Sequence, residues 1–307
     1  MKKGIAFILI LTLALSFCGA VQAGSILPVL SEPEEEEAAP EEVFMPSLEQ
    51  VSWYDVKSIS KAADGRLRYT YSSVSENAYN KFGVALGEAG YTLKDSSTDE
   101  DGHMHFVVEN GVDEIELVYY SIGGTMEIYY PENAVPAERD EEALTVRLQL
   151  GEPFRTTKEC TYSLAEIRAA DSYRNIFKSG YPVVFRYDKT RKSDENTQYV
   201  IFGFTCENKA KYEVDPSWYT GDLTCDKEGL TIYGDGTGAS NAAFTLVNEL
   251  AKSDKVAGGS TYYYARGVYY HKENAEGPVT LRMTFTSEDN VTKYVYEATI
   301  GGEDTSV

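Results

Sequence analysis

Polar and apolar residues alternate along Arg66-Leu67-Arg68-Tyr69-Thr70-Tyr71, just after the Asp64-Gly65 turn signal. The alternation predicts a strand with Leu67, Tyr69 and Tyr71 on one side. The period then lengthens. Tyr79, Phe82, Leu86 and Ala89 recur at helical spacing, with Ser73 placed to cap the helix, Glu76 to complete a capping box, and Gly90 to end it. Strand-like runs follow at Met104 to Glu109, Glu114 to Ser121 and Thr125 to Tyr130, separated by Asn110-Gly111 and Gly123-Gly124, pairs typical of tight hairpins. Residues 47–131 therefore read as a helix packed on an antiparallel sheet.

Pro, Ala and acidic residues crowd residues 132–142, which reads as a linker. Beyond it, residues 143–307 read mainly as β. Candidate strands lie at Leu144 to Leu150, Cys160 to Ile167, Val183 to Tyr187, Tyr199 to Cys206, Leu230 to Tyr233, Val279 to Thr286 and Lys293 to Thr299. Short strands separated by turn signals suggest a β-sandwich. Ala242 to Ala251 is the helical-looking interruption, because Phe244, Val247, Leu250 and Ala251 form an apolar stripe. The fold class is mainly β, α+β overall, with the small helix-on-sheet domain preceding the sandwich.

The first 23 residues read as a signal peptide of bacterial type. Lys2 and Lys3 precede an apolar run from Ile5 to Phe17, and Val21-Gln22-Ala23 supplies the small-residue pattern cut before Gly24. Leu15-Ser16-Phe17-Cys18 offers an alternative, because it looks like a lipobox that would acylate Cys18, although Phe17 stands where Gly, Ala or Ser is usual. Residues 24–46 read as a tether, with Glu32, Glu34 to Glu37, Glu41 and Glu42 interspersed with prolines. Such like-charged, core-poor sequence stays extended. No later stretch has the roughly 20 uncharged apolar residues of a membrane helix. The expected location is extracytoplasmic, either secreted or lipid-anchored at the cell surface.

A formal charge of −21 falls to −23 once Lys2 and Lys3 leave with the signal. That charge argues against nucleic acid as a partner and against attraction to anionic lipid. The 24 tyrosines come in clusters, among them Tyr119-Tyr120, Tyr129-Tyr130, Tyr262-Tyr263-Tyr264 and Tyr269-Tyr270. Tyrosine suits half-buried strands, so packing alone explains the clusters. The functional alternative is a ligand platform at Tyr262 and Tyr264. Adjacent tyrosines point to opposite faces, so only one of each neighbouring pair can serve a given surface.

Catalytic signatures are sparse. His103 and His105 lie two apart with Asp99 and Asp101 upstream, a spacing that could chelate a metal, but the sequence assigns no third ligand and no metal site is expected. His271 reads as a surface residue. Ser97 to Gly102 superficially resembles a calcium loop, yet Ser97 occupies the first position and Val108 the twelfth, where a bidentate Glu is required. Asp235-Gly236-Thr237-Gly238 reads as a turn. Ser58-Ile59-Ser60-Lys61 matches the Ser-x-x-Lys spacing of penicillin-recognising enzymes, but Lys189-Thr190-Arg191 lacks the companion glycine and no Ser-Asp-Asn intervenes. No catalytic residue, cofactor-binding residue or cofactor is expected. Cys160 and Cys206 each alternate with core-type residues, and a bridge between them would contribute about 3–4 kcal/mol. Pairing of Cys206 with Cys225 is an equal alternative, and an anaerobic source could leave all three as buried thiols.

Leu148-Gln149-Leu150-Gly151-Glu152 and, much later, Phe204-Thr205-Cys206-Glu207-Asn208-Lys209 carry a resemblance. Together they resemble immunoglobulin-like domains of uncharacterised Gram-positive exported proteins and lipoproteins. The resemblance covers the second domain only and implies a fold and an address, not an activity. The expected role is a noncatalytic cell-surface binding or accessory protein, with a cell-wall glycan or a surface protein as partner. A wall- or glycan-directed hydrolase and a structural spacer are the alternatives. Intact-mass measurement of the mature chain is expected to place its N-terminus at Gly24; a mass beginning at an acylated Cys18 would establish a lipoprotein.

Overall fold

The computed structural model describes residues 43–170, 184–186, 196–215, 219, 221–232, 245–247 and 255–301. Contacts divide the chain into Met1–Pro40 and Glu41–Val307, and the described residues all belong to the second unit. The expected signal peptide, Cys18, most of the tether, Lys189 to Arg191 and Asp235 to Gly238 lie outside them. The fold is mainly β with a small helical part.

In the first half, β1 (Val43–Met45), the single-turn α1 (Leu48–Val51), β2 (Ser58–Lys61), β3 (Leu67–Tyr71) and α2 (Glu76–Glu88) are followed by β4 (Thr92–Thr98), β5 (His103–Glu109), β6 (Glu114–Tyr120), β7 (Thr125–Tyr130) and β8 (Ala134–Pro136). Strands β2 to β7 form one antiparallel sheet in the order β2-β3-β7-β6-β5-β4, so α2 leads from an inner strand to the far edge. One helix face, Ala78, Phe82 and Leu86, is buried against Ile115, Leu117, Tyr119, Met126, Ile128 and Tyr130. These are the alternate residues of β6 and β7, as a pleated sheet requires.

The expected helix forms, but Ser75 caps it rather than Ser73. Ser75 Oγ accepts from the Ala78 N–H at 3.1 Å, whereas Ser73 has a φ of 57° and its carbonyl accepts from the Tyr54 hydroxyl at 2.8 Å. Gly90 ends the helix with φ 89°. The Tyr91 N–H reaches Leu86 O at 2.9 Å and the Gly90 N–H reaches Gly87 O at 3.0 Å, the paired bonds of a Schellman motif, with Tyr91 and Leu86 both in the core.

The ends of the expected tether and linker are ordered against each other. Val43–Met45 pairs in parallel with Ala134–Pro136, and Met45 is buried in the first core. Strand β4 was not anticipated, because Thr92–Thr98 is exposed along its whole length and has no apolar period to detect. It exists as an edge paired to β5. The Ser-x-x-Lys segment is the opposite edge, where Lys61 pairs with Glu132.

The second half is a β-sandwich. Its strands are β9 (Thr145–Arg147), β10 (Pro153–Thr156), β11 (Cys160–Ala170), β12 (Val184–Arg186), β13 (Thr197–Asn208), β14 (Asp222–Cys225), β15 (Thr245–Val247), β16 (Thr261–His271), β17 (Val279–Thr286) and β18 (Lys293–Ile300). One four-stranded sheet runs β10-β11-β13-β16 and the other β14-β17-β18-β9, with β9 parallel to β18. Between them lies one core, in which Leu164, Phe202, Phe204, Tyr264, Leu281, Met283, Phe285 and Tyr296 are buried.

Two expected elements are replaced. The stripe at Ala242 to Ala251 is not a helix where it is described, since Thr245–Val247 is a strand antiparallel to Val184–Arg186. A short apolar run cannot distinguish the two periods without its pairing partner. Leu230 to Ile232 is not a strand either; the ladder to β17 is made by Asp222–Cys225. Strand β16 is not among the expected strands, because aromatic residues on both of its faces hide the alternation.

Among the described residues, the β17–β18 hairpin links the two cores. The β17–β18 turn sends Val291, only 2% exposed, into the first core. Around it, the Trp53 N–H donates to Asn290 O at 2.7 Å, Ser75 Oγ donates to Asp289 O at 2.8 Å, and Asn77 Nδ2 donates to Asp289 Oδ2 at 2.6 Å. The Trp53 indole donates to Leu144 O at 3.3 Å; Lys293 Nζ lies 3.4 Å from its ring centroid and the Arg139 guanidinium 4.9 Å from it. Val291→Ala is therefore expected to lower unfolding free energy by about 2 kcal/mol, the loss of two buried methyl groups plus a cavity. Urea denaturation of the variant against the unsubstituted protein measures it.

Candidate functional site

A cleft of about 610 Å³ opens at the edge of the sandwich beside this junction. Phe154 from β10 and Phe285 from β17 form its floor, their rings stacked at 3.8 Å, and Tyr219 and Tyr294 add half-buried walls. Gly221 lets the backbone pass this close. It has φ 60°, and a Cβ there would stand 2.7 Å from Thr284 O and 2.9 Å from the Phe285 ring. Its carbonyl accepts from Arg266 Nη1 at 2.7 Å, which ties the cleft wall to β16.

Three carboxylates, those of Asp222, Glu288 and Asp289, and one guanidinium, that of Arg155, are among the lining groups. Arg155 lies on the Tyr219 ring, 3.9 Å from its centroid, and pairs with Glu288. Its Nε is buried with no hydrogen-bond partner. Burial alone would raise the Asp289 carboxyl, but hydrogen bonds from Ser287, Asn77 and the Val291 N–H outweigh it and hold the group below the ordinary carboxylate range. The rim of the cleft is thus also the lock between the two cores.

Of the expected platform at Tyr262 and Tyr264, Tyr264 is buried and Tyr262 half-buried. Both side chains turn toward the sandwich interior; Tyr264 is 3% exposed, stacks on Phe204 at 4.8 Å and donates its hydroxyl to Tyr219 O at 2.9 Å, while Tyr262 packs half-buried against the same core. The residues spaced two apart do share a face, but it is the covered one. The other doublets divide as strand geometry demands. Tyr119 and Tyr130 are buried, whereas Tyr120 and Tyr129 lie half-buried on the helix-free face of the first sheet, where their hydroxyls donate to Glu127 Oε2 at 3.3 and 2.8 Å.

Cys160 and Cys206 are buried neighbours in the sandwich core, as their alternation implies, but they are thiols rather than a bridge. Cys160 stands opposite Asn208 and Cys206 opposite Tyr162, a diagonal rather than a direct pair. Burial, reinforced by the Cys160 thiol, pushes the Cys206 thiol up to about 12. That is the reverse of what activates a nucleophilic cysteine. Cys225 is also free; its thiol contacts Lys227 O at 3.4 Å. His271 is half-buried at the end of β16, 3.4 Å from Thr197 Oγ1.

No family model matches this sequence, and no curated protein does. An uncharacterized β-sandwich protein of Clostridium difficile 630 is similar in structure over 53% of this chain and 99% of its own, at 16% identity and a TM-score of 0.28. The sandwich described here rests on its own two sheets and their shared core. Among the described residues, no helix is long and apolar enough to cross a membrane.

The cleft residues have no shared sequence signature because they come from four strands and two loops far apart in the chain. The one local signal was the polar Ser287-Glu288-Asp289-Asn290 turn between two strongly alternating strands. Asp289 makes a sign-specific prediction. A depressed folded-state pKa stabilises the protein above the unfolded value of about 4 and ceases to do so as pH falls through the lower folded value. Asp289→Asn is expected to be less stable at pH 7 and to lose less stability on acidification to about pH 2, measured by urea denaturation across that range.

Proposed function

We propose that this protein is a noncatalytic binding or accessory component of the cell surface, exported from the cytoplasm, that presents the cleft beside its inter-core junction to a polar ligand such as a cell-wall glycan segment. The observation that carries the reading is the lining of the cleft. Aromatic rings with a few polar groups at their edges suit ring-shaped, hydroxyl-rich ligands. Three carboxylates against one arginine favour a neutral or cationic ligand over an anionic one. The surplus negative charge of the whole chain acts in the same direction.

Binding rather than hydrolysis is supported by the direction in which a carboxyl group is displaced. In the cleft, the Asp289 carboxyl is held below its ordinary range. A general acid at neutral pH needs the opposite displacement. The kinship of the sandwich with immunoglobulin-like modules of exported Gram-positive proteins belongs to the same proposal. Its support is the two-sheet architecture, which such modules share without always sharing strand order.

Co-sedimentation with insoluble cell wall and purified polysaccharides tests the reading. The protein is expected to be depleted from solution without releasing soluble sugar, and Asp222→Lys combined with Glu288→Lys is expected to weaken binding by about tenfold, or ~1.4 kcal/mol. No depletion, or equal binding by the double variant, removes the cleft from the proposal. Released product would make the protein a hydrolase, with Asp222 and Glu288 the first residues to test.

A further inference from the structure

The β4–β5 hairpin gathers Asp99, Asp101, His103 and His105 at one turn. Its turn folds Asp99 back over β5, where His103 and His105 project from the helix-free face of the first sheet. Asp99 Oδ1 accepts from the Asp101 and His103 N–H groups at 3.0 and 2.9 Å, so the carboxylate is held from behind. Its Oδ2 then faces both imidazoles, 2.8 Å from His103 Nδ1 and 3.6 Å from His105 Nε2. Asp101 completes the group, with one ligand atom each from Asp99, Asp101 and His103 lying within 4.8 Å of one another. The His103 ring rests against Tyr120 at 4.5 Å, which fixes its plane.

Hydrogen bonding accounts for the shorter contact but not the longer one, since 3.6 Å is beyond hydrogen-bond range. A shared ion accounts for both. Metal–ligand lengths near 2.1 Å in a tetrahedral zinc site place neighbouring ligand atoms about 3.4 Å apart, between the two observed separations. We propose that this hairpin binds one divalent transition-metal ion of the Zn²⁺ type at the group formed by Asp99, Asp101 and His103, with His105, 3.6 Å from the Asp99 carboxylate, turning in to complete the shell. Two imidazoles select Zn²⁺, Co²⁺, Ni²⁺ or Cu²⁺ over Ca²⁺ and Mg²⁺, which take oxygen ligands. Binding at His103 Nδ1 requires the neutral tautomer with its proton on Nε2, so the hydrogen bond to Asp99 gives way to the ion. The side chains of Asp99, His103 and His105 are 39%, 29% and 35% exposed, so an ion can reach them. The ion would clip the turn that holds β4, the exposed edge strand, onto the sheet.

The test uses the untagged full chain with ZnCl₂ alone. Calorimetry is expected to give one ion per chain, with His103→Ala and His105→Ala each weakening affinity by at least about tenfold and MgCl₂ giving no binding. The chain has three histidines, and His271, on the other half of the fold, serves as an internal reference. In NMR spectra of the unsubstituted protein, the ring signals of His103 and His105 are expected to shift with Zn²⁺ while those of His271 stay in place. Absence of binding at millimolar Zn²⁺, undiminished binding in the His103→Ala/His105→Ala double variant, or a shift confined to His271 would overturn the proposal.

Discussion

The docking of the β17–β18 turn into the first core is the constraint on which the arrangement of this protein depends. Val291 enters a cluster formed otherwise by residues 43–134, more than 150 positions away in the chain. Polar bonds flank that insertion on both sides. Ser75 caps α2 through its Oγ and, with the same hydroxyl, donates to Asp289 O, so the start of the first half's long helix and the tip of the sandwich hairpin share one atom. A hydroxyl can accept and donate at once, and both roles are filled here. The cleft, whose rim includes Ser287, Glu288 and Asp289, is shaped by the same turn. Its geometry is therefore as rigid as the junction itself.

Tyrosine serves three different purposes in this chain. Tyr71, Tyr130 and Tyr296 are among its largest fully buried side chains, and each finds a partner for its hydroxyl: Glu49 Oε2 at 2.6 Å for Tyr71, Pro46 O at 2.8 Å for Tyr130, and Glu152 O for Tyr296. A buried phenol without such a partner would be costly, so each bond also specifies where a distant segment must lie. Tyr120 and Tyr129 instead join a charged network on the open face, with Arg66 5.2 Å from the Tyr129 ring centroid and paired to Glu116. Tyr219 and Tyr294 are left to line the cleft. Clusters of one residue type thus resolve into core, surface network and site according to which layer covers each strand face.

The candidate sites were legible in unequal measure. His103 and His105 could be placed on one strand face from their spacing, but Asp99 joins them only because Thr92–Thr98, a polar segment with no hydrophobic period, forms an edge strand and directs the turn back. Ser73 and Ser75 are equally good caps by residue type. Tyr54, from another segment, decides between them by engaging the Ser73 carbonyl and the Ser75 N–H. The cleft had almost no sequence signature, since its aromatic residues look like core and its acids like solvated loop.

Residue order by itself determined the elements with a clear period, α2 and strands β3, β5, β6, β7, β11, β13, β17 and β18, and the pairing of residues on each of their faces. It also placed Cys160 and Cys206 toward a core. Side-chain direction follows from local backbone geometry, so periodicity suffices for that much. Which face would be covered, and by what, was decided only by tertiary structure. Tyr262 and Tyr264 share a face as their spacing requires, yet the second sheet makes that face interior; Thr245–Val247 became a strand because Val184–Arg186 pairs with it. Burial and pairing depend on segments tens to hundreds of residues apart, and no local pattern carries that information.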